Sequence, residues 1–92
     1  MSFTIVYHPD VLEEDIPTLP KKERQRIKGA IEQKLTIHPE IFGKPLRRSL
    51  KGYRKLRVGD FRVIFRIQGK TIKIFMIGNR SIVYEQNQQR FL

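Results

Sequence analysis

Apolar residues recur at helical spacing before about residue 43 and at every second position after it. Phe3 to Tyr7 alternates and is rich in β-formers, so it reads as a first strand, ended by Pro9-Asp10. Asp10 followed by Glu13 is a capping-box-like start for a short helix, and Pro17 stops or kinks that helix near Ile16. Pro20 suits the first turn of a second helix. From Lys21 to about Ile37, the residues Ile27, Ala30, Ile31 and Leu35 form an apolar stripe, with Lys22, Arg24, Lys28 and Glu32 largely off it. His38-Pro39 closes this helix, and Pro39 to Gly43 reads as a loop.

Beyond Lys44 the chain alternates. Leu46 to Leu50 reads as a short edge strand, Tyr53 to Val58 and Phe61 to Ile67 as longer ones, and Thr71 to Ile77 as the last. Gly59-Asp60 between two alternating runs signals a two-residue hairpin, with glycine first favouring a type II′ turn. A second turn falls around Gln68-Gly69-Lys70. The order β-α-α-β-β-β predicts an α+β fold: an antiparallel sheet of about four strands, two N-terminal helices packed on one face, and a short C-terminal tail from Ser81. The 92 residues make a single domain spanning 1–92.

Counting outward from Gly59-Asp60 sets the register. Val58 faces Phe61, Arg57 faces Arg62, Leu56 faces Val63, Lys55 faces Ile64, Arg54 faces Phe65 and Tyr53 faces Arg66. Because side chains alternate, Leu56, Val58, Phe61, Val63, Phe65 and Ile67 share one face, with Arg54 near its edge. That face is the expected core, set against Ile27, Ile31 and Leu35. The other face carries Tyr53, Lys55, Arg57, Arg62, Ile64 and Arg66, joined by Lys73 from the next strand.

Charge sharpens this picture. Residues Lys44 to Arg80 hold twelve Lys or Arg against one acid, Asp60, whereas Met1 to Gly43 hold six bases against seven acids. The net charge of +10 is therefore concentrated on one half of the chain. A field of that kind attracts a polyanion, and nucleic acid is the obvious one. Arg57 opposite Arg62 is the informative pair, because like charges opposed across strands destabilise a sheet. A phosphate between the two planar guanidiniums would relieve the repulsion. Tyr53 on the same face offers a ring on which a base could stack.

Other chemistries find little support. The chain has no cysteine, which excludes a disulfide scaffold and a zinc-thiolate site and fits a cytosolic protein. His8 and His38 fall in separate elements, and the acids lack ligand spacing, so no metal or other cofactor is implied. The N-terminus lacks the basic start and long apolar run of a signal peptide, and the longest apolar runs are too short to cross a membrane. An enzyme built on this face must work with Lys, Arg and Tyr. Those side chains suit attack of an RNA 2′-hydroxyl on the adjacent phosphate, where arginines stabilise the developing charge. A lysine crowded by positive charge can transfer protons, and Lys55 is placed for it by Arg54, Arg57 and Arg62.

The run Tyr53-Arg-Lys-Leu-Arg-Val-Gly-Asp-Phe-Arg62-Val-Ile-Phe, followed by Ile77-Gly-Asn-Arg80-Ser-Ile-Val-Tyr84-Glu, resembles the RelE/ParE toxin superfamily over essentially the whole chain. The resemblance implies a toxin of a toxin–antitoxin pair. Its RelE branch enters the ribosomal A site and cuts mRNA without a metal, leaving a 2′,3′-cyclic phosphate or its opened form. On that basis Arg62 and Arg80 contact the scissile phosphate, and Lys55 assists proton transfer or charge stabilisation. Tyr84 stacks on a base or orients the 2′-hydroxyl. Arg54, Arg57, Arg66 and Lys73 hold RNA, and Tyr53 offers its ring. The implied partners are mRNA and ribosomal RNA, and a cognate antitoxin with an acidic or amphipathic docking segment; no membrane is involved. The chain departs from the family at Tyr53, where relatives carry a further lysine, and at Asn79, where many carry a histidine. The ParE branch, which inhibits DNA gyrase by binding, is the alternative, and a non-catalytic RNA-binding module is a third.

Overall fold

The computed structural model describes residues 2–47, 50–79 and 88–91. Five strands form one sheet in the order β1-β5-β4-β3-β2: β1 Thr4–Tyr7, β2 Lys44–Pro45, β3 Arg54–Val58, β4 Phe61–Gln68 and β5 Thr71–Asn79. The β3–β4 register is the expected one from Val58↔Phe61 through Arg54↔Phe65. Gly59 supplies the left-handed φ of 60° that the tight turn requires. Tyr53 lies just before β3 rather than in it.

The sheet differs from expectation at both edges. β1 pairs with β5 in parallel, Thr4 opposite Thr71 through Tyr7 opposite Ile74, so the sheet is not purely antiparallel. The connection from β1 to β5 runs through the helices and then β2, β3 and β4, more than the length a parallel pair needs. The edge strand is Lys44–Pro45; of the run expected from Leu46 to Leu50, Leu46, Arg47 and Leu50 are not in a strand, and positions 48–49 lie outside the described residues. Proline suits an edge position because it has no N–H for a further ladder.

Two prolines also act differently from their usual reading. The first helical segment runs through a π-helical turn, Val11–Asp15, into α1, Ile16–Thr18, so Pro17 does not end it. In the wider turn the Ile16 N–H donates to Val11 O five residues back, and Pro17 sits next where its missing N–H costs least. The start of this segment is capped by His8, whose Nδ1 accepts the Asp10 N–H at 3.0 Å, and not by the Asp10 carboxylate. The main helix α2, Lys21–Ala30, continues into a second π-helical turn, Ile31–Leu35. Pro39 opens a short helix, α3 (Pro39–Phe42), where a loop was expected.

The core lies between these helices and one sheet face. Ile27, Ile31 and Leu35 meet Leu56, Val58, Val63 and Phe65, together with Val11, Ile72, Ile74 and Ile77. Truncating a ring as fully buried as Phe65 removes about 3–5 kcal/mol. A second cluster covers part of the other face: Tyr53, Ile64, Phe75 and Met76, with Leu46 and Phe91 against it. A β-bulge creates it. Ile64 pairs with Met76 and Phe65 with Ile74, leaving Phe75 unpaired, so Phe75 and Met76 both point away from the helices. Among the described residues no helix is long and apolar enough to cross a membrane.

Candidate nucleic-acid interface

The outer face of the sheet divides into two parts. Towards β2, Lys44 stands opposite Lys55 and Arg57 opposite Arg62. Since Lys55 and Arg57 are two residues apart on β3, all four cations share one face. With Phe42 they line a trough of about 170 Å³. Arg62 is steadied by its own turn, its Nη1 donating to Phe61 O at 3.0 Å and to Gly59 O at 3.3 Å. Among the described residues no carboxylate lies within ion-pair distance of any of the four. Two like-charged pairs side by side thus keep N–H donors for an anion, and their stems cross the strands where repulsion is least welcome.

The sequence matches, over residues 5–84, the model of the ParE toxin of type II toxin–antitoxin system, parDE. The chain belongs to the RelE/ParE toxin superfamily. Toxin RelE of Mycobacterium tuberculosis (strain H37Rv) is 33% identical over 78 residues, covering 83% of this chain and 80% of that one. In the solved RelBE2 toxin–antitoxin complex of M. tuberculosis, a chain superposes with a TM-score of 0.81 at 27% identity, over 87% of this chain and 100% of that one. A mutant Escherichia coli RelE in the free state shares the fold, with a TM-score of 0.71 at 14% identity over 88% and 86% of the two chains. This RelE-like toxin therefore has the α+β architecture that its alternation predicted, with one more strand.

Towards β5 the toxin's outer face is different. Arg66 and Lys73 are paired across strands, and each lies over an aromatic ring: the Arg66 guanidinium 5.5 Å from the Tyr53 ring centre and Lys73 Nζ 5.0 Å from that of Phe75. Tyr53 itself is only 6% exposed. Its ring meets Phe75 and Phe91 edge-on, each at 5.0 Å, and its hydroxyl donates to Phe91 O at 3.0 Å. The expectation of an open stacking ring at Tyr53 is therefore corrected: the bulge and the C-terminal turn enclose it. Arg54 is corrected as well. It lies on the core-side face, as the register predicts, but its Nη1 donates to Gly43 O at 2.9 Å and Glu40 O at 3.4 Å, fastening the end of α3 instead of standing free to hold RNA. Arg80 and Tyr84 lie outside the described residues.

The turn Gln88–Phe91 that roofs Tyr53 is held by a charge cluster the sequence did not announce. Arg90, with a side chain 4% exposed, forks onto Asp15 at 2.5 and 2.9 Å, and donates to Glu14 Oε2 at 3.2 Å and Phe75 O at 3.3 Å. The Asp10 carboxylate stands 3.5 Å from its Nε. Burial opposes the charge, but Asp15, Asp10 and Glu14 outweigh it and hold the guanidinium pKa above its ordinary value. The Ile77 N–H also donates to Asp15, at 2.9 Å, so the same carboxylate closes the edge of β5 beyond β1. The early acids thus have a structural task. Lys44 and Phe42 are the trough residues missed from the sequence: Lys44 belonged to the basic block, but the edge strand was expected two residues later.

Proposed function

We propose that this toxin is a ribosome-dependent, metal-independent mRNA endonuclease. The observation that carries the reading is the trough of four cations, Lys44, Lys55, Arg57 and Arg62, without carboxylate partners among the described residues. The similarity to Toxin RelE supports the same branch. In the proposed reaction the RNA 2′-oxygen attacks the neighbouring phosphorus. The 2′-O–P bond forms, the P–O5′ bond breaks, the 2′-hydroxyl proton passes to a base, and the 5′-oxygen leaves protonated. Charge accumulates on the non-bridging oxygens, where Arg62 and Arg80 stabilise it. Lys55 assists proton transfer, Tyr84 orients the nucleotide, and Arg57 grips the backbone. The products are a 2′,3′-cyclic phosphate and a 5′-hydroxyl.

Acting on ribosomes places the toxin in the cytoplasm. Its proposed protein partner is a cognate antitoxin with an acidic or amphipathic segment. A cleft of about 320 Å³ between α1 and α2, lined by Leu12, Ile16, Leu19 and Ile27 and bordered by Arg24 and Lys28, supports such an occupant. Salt-insensitive association with a basic peptide would contradict it. The ParE description of the matching family favours a second reading, a gyrase inhibitor that acts by binding. Cell-free translation with mapped mRNA 5′ ends decides. Cuts at ribosome-occupied codons that vanish with Arg62→Ala support the nuclease. Intact mRNA with blocked gyrase supercoiling supports the binder.

A further inference from the structure

Base stacking on the outer face needs an open ring, and Tyr53 does not offer one. Phe42 does. Among the described residues it is the aromatic that lines the cationic trough, and it is 41% exposed. We propose that Phe42 is the platform on which a base of the bound RNA stacks, while Lys55, Arg57 and Arg62 hold the adjoining phosphates. The inference rests on the RNA reading of the trough, and deepens it by naming what reads the base.

The local structure prepares the ring. Phe42 ends α3, and the next residue, Gly43, is where the chain turns into β2. A Cβ on Gly43 would fall 2.2 Å from the Phe65 ring, so only glycine lets this turn press onto the core. Arg54 fastens the same turn from the core side through Gly43 O and Glu40 O. From the end of the main helix, Lys34 Nζ stands 5.5 Å from the Phe42 ring centre, a cation–π contact that restrains the ring without burying it. An apolar ring held in place yet open to water is poor for stability and good for a flat ligand. Two residues on, Lys44 pairs with Lys55, so ring and phosphate-binding cations are joined through one strand pair. A trough of 170 Å³ is smaller than the roughly 300 Å³ at which small-molecule pockets begin, and suits one ring beside a backbone.

The alternative is that Phe42 belongs to an apolar patch with Ile41, 68% exposed, that a protein partner covers. The test separates the two. Affinity of the full chain is measured at low ionic strength for a short single-stranded RNA and for a matched ribose-phosphate strand without bases. Phe42→Leu keeps the apolar bulk and removes the π-face; Phe42→Trp restores it; Ile41→Ala trims the patch outside the trough. Stacking predicts that Phe42→Leu weakens RNA binding roughly 5- to 150-fold, leaves the baseless strand and the salt slope unchanged, and is rescued by Phe42→Trp to within about threefold. Ile41→Ala changes nothing. Equal affinity of Phe42→Leu for RNA, equal weakening on both strands, or no RNA binding by the unaltered chain overturns the proposal. A chain that cuts mRNA yet passes Phe42→Leu untouched refutes the stacking alone. One that stacks as described but never cuts refutes the nuclease alone.

Discussion

Like-charged pairs cross the outer face of this sheet in two regions, and the two regions treat them in opposite ways. Arg66 and Lys73 stand opposite one another with Tyr53 and Phe75 beneath them, so each cation meets the negative face of a ring. Arg57 and Arg62 stand opposite one another with neither a cation–π ring nor a carboxylate partner among the described residues, and Lys44 with Lys55 adds a second pair alongside. The first arrangement compensates its repulsion within the fold. The second leaves it uncompensated among the described residues. Basic residues on a common face are therefore not equivalent: some lie over aromatic rings and others do not.

Removing the support of the compensated half has the largest expected effect. Arg90→Met leaves the largely buried Asp15 carboxylate without its cation and with the Ile77 N–H alone, and should cost about 3 kcal/mol in chemical denaturation. It should also release the turn that roofs Tyr53, read as a rise in tyrosine accessibility. Next comes the contrast between the halves. Arg62→Ala should lower mRNA cleavage about 100-fold or more with little change in Tm, whereas Arg66→Ala should change cleavage less than about threefold. Equal effects would erase the distinction. Smaller still, Arg57→Gln should raise stability by about 0.2–0.5 kcal/mol through relief of repulsion, while Lys73→Gln should not. The smallest effect is alkaline. Burial, then the charge of Glu32, holds the Tyr7 hydroxyl above its usual 10.0. The unfolded chain ionises first, so this contribution is complete below pH 10.0 and is lost as pH rises through the higher folded value. Stability should fall more steeply there for the unaltered chain than for Tyr7→Phe.

Much of the frame could be read from residue order. The Gly59-Asp60 hairpin carries its own register, since one glycine with φ of 60° fixes where pairing starts and alternation does the rest. The stripe Ile27, Ile31 and Leu35 is buried as its spacing predicts. The departures share a cause: tertiary contacts chose among local options. Phe75 breaks alternation because a bulge turns two neighbours to one side, and the run Ile74 to Ile77 reads as apolar throughout either way. Tyr53 looks like an exposed strand residue until Phe91, 38 positions away, closes over it. Arg54 and Arg57 look alike in sequence, and only the alternation of β3 with the fold of α3 sends one to helix carbonyls and the other to the trough. Arg90 reads as an ordinary tail residue, since its acids lie at the far end of the chain.

The most direct measurement is the salt dependence of RNA affinity with each half neutralised in turn. Replacing Lys55, Arg57 and Arg62 with glutamine should reduce the log–log slope by about 2, near 0.7 for each phosphate of a single strand that is no longer neutralised. Replacing Arg66 and Lys73 should reduce it by less than about 0.5. Slopes that fall equally per charge removed, or fall further for the Arg66–Lys73 pair, would contradict the assignment of the uncompensated trough to the RNA backbone.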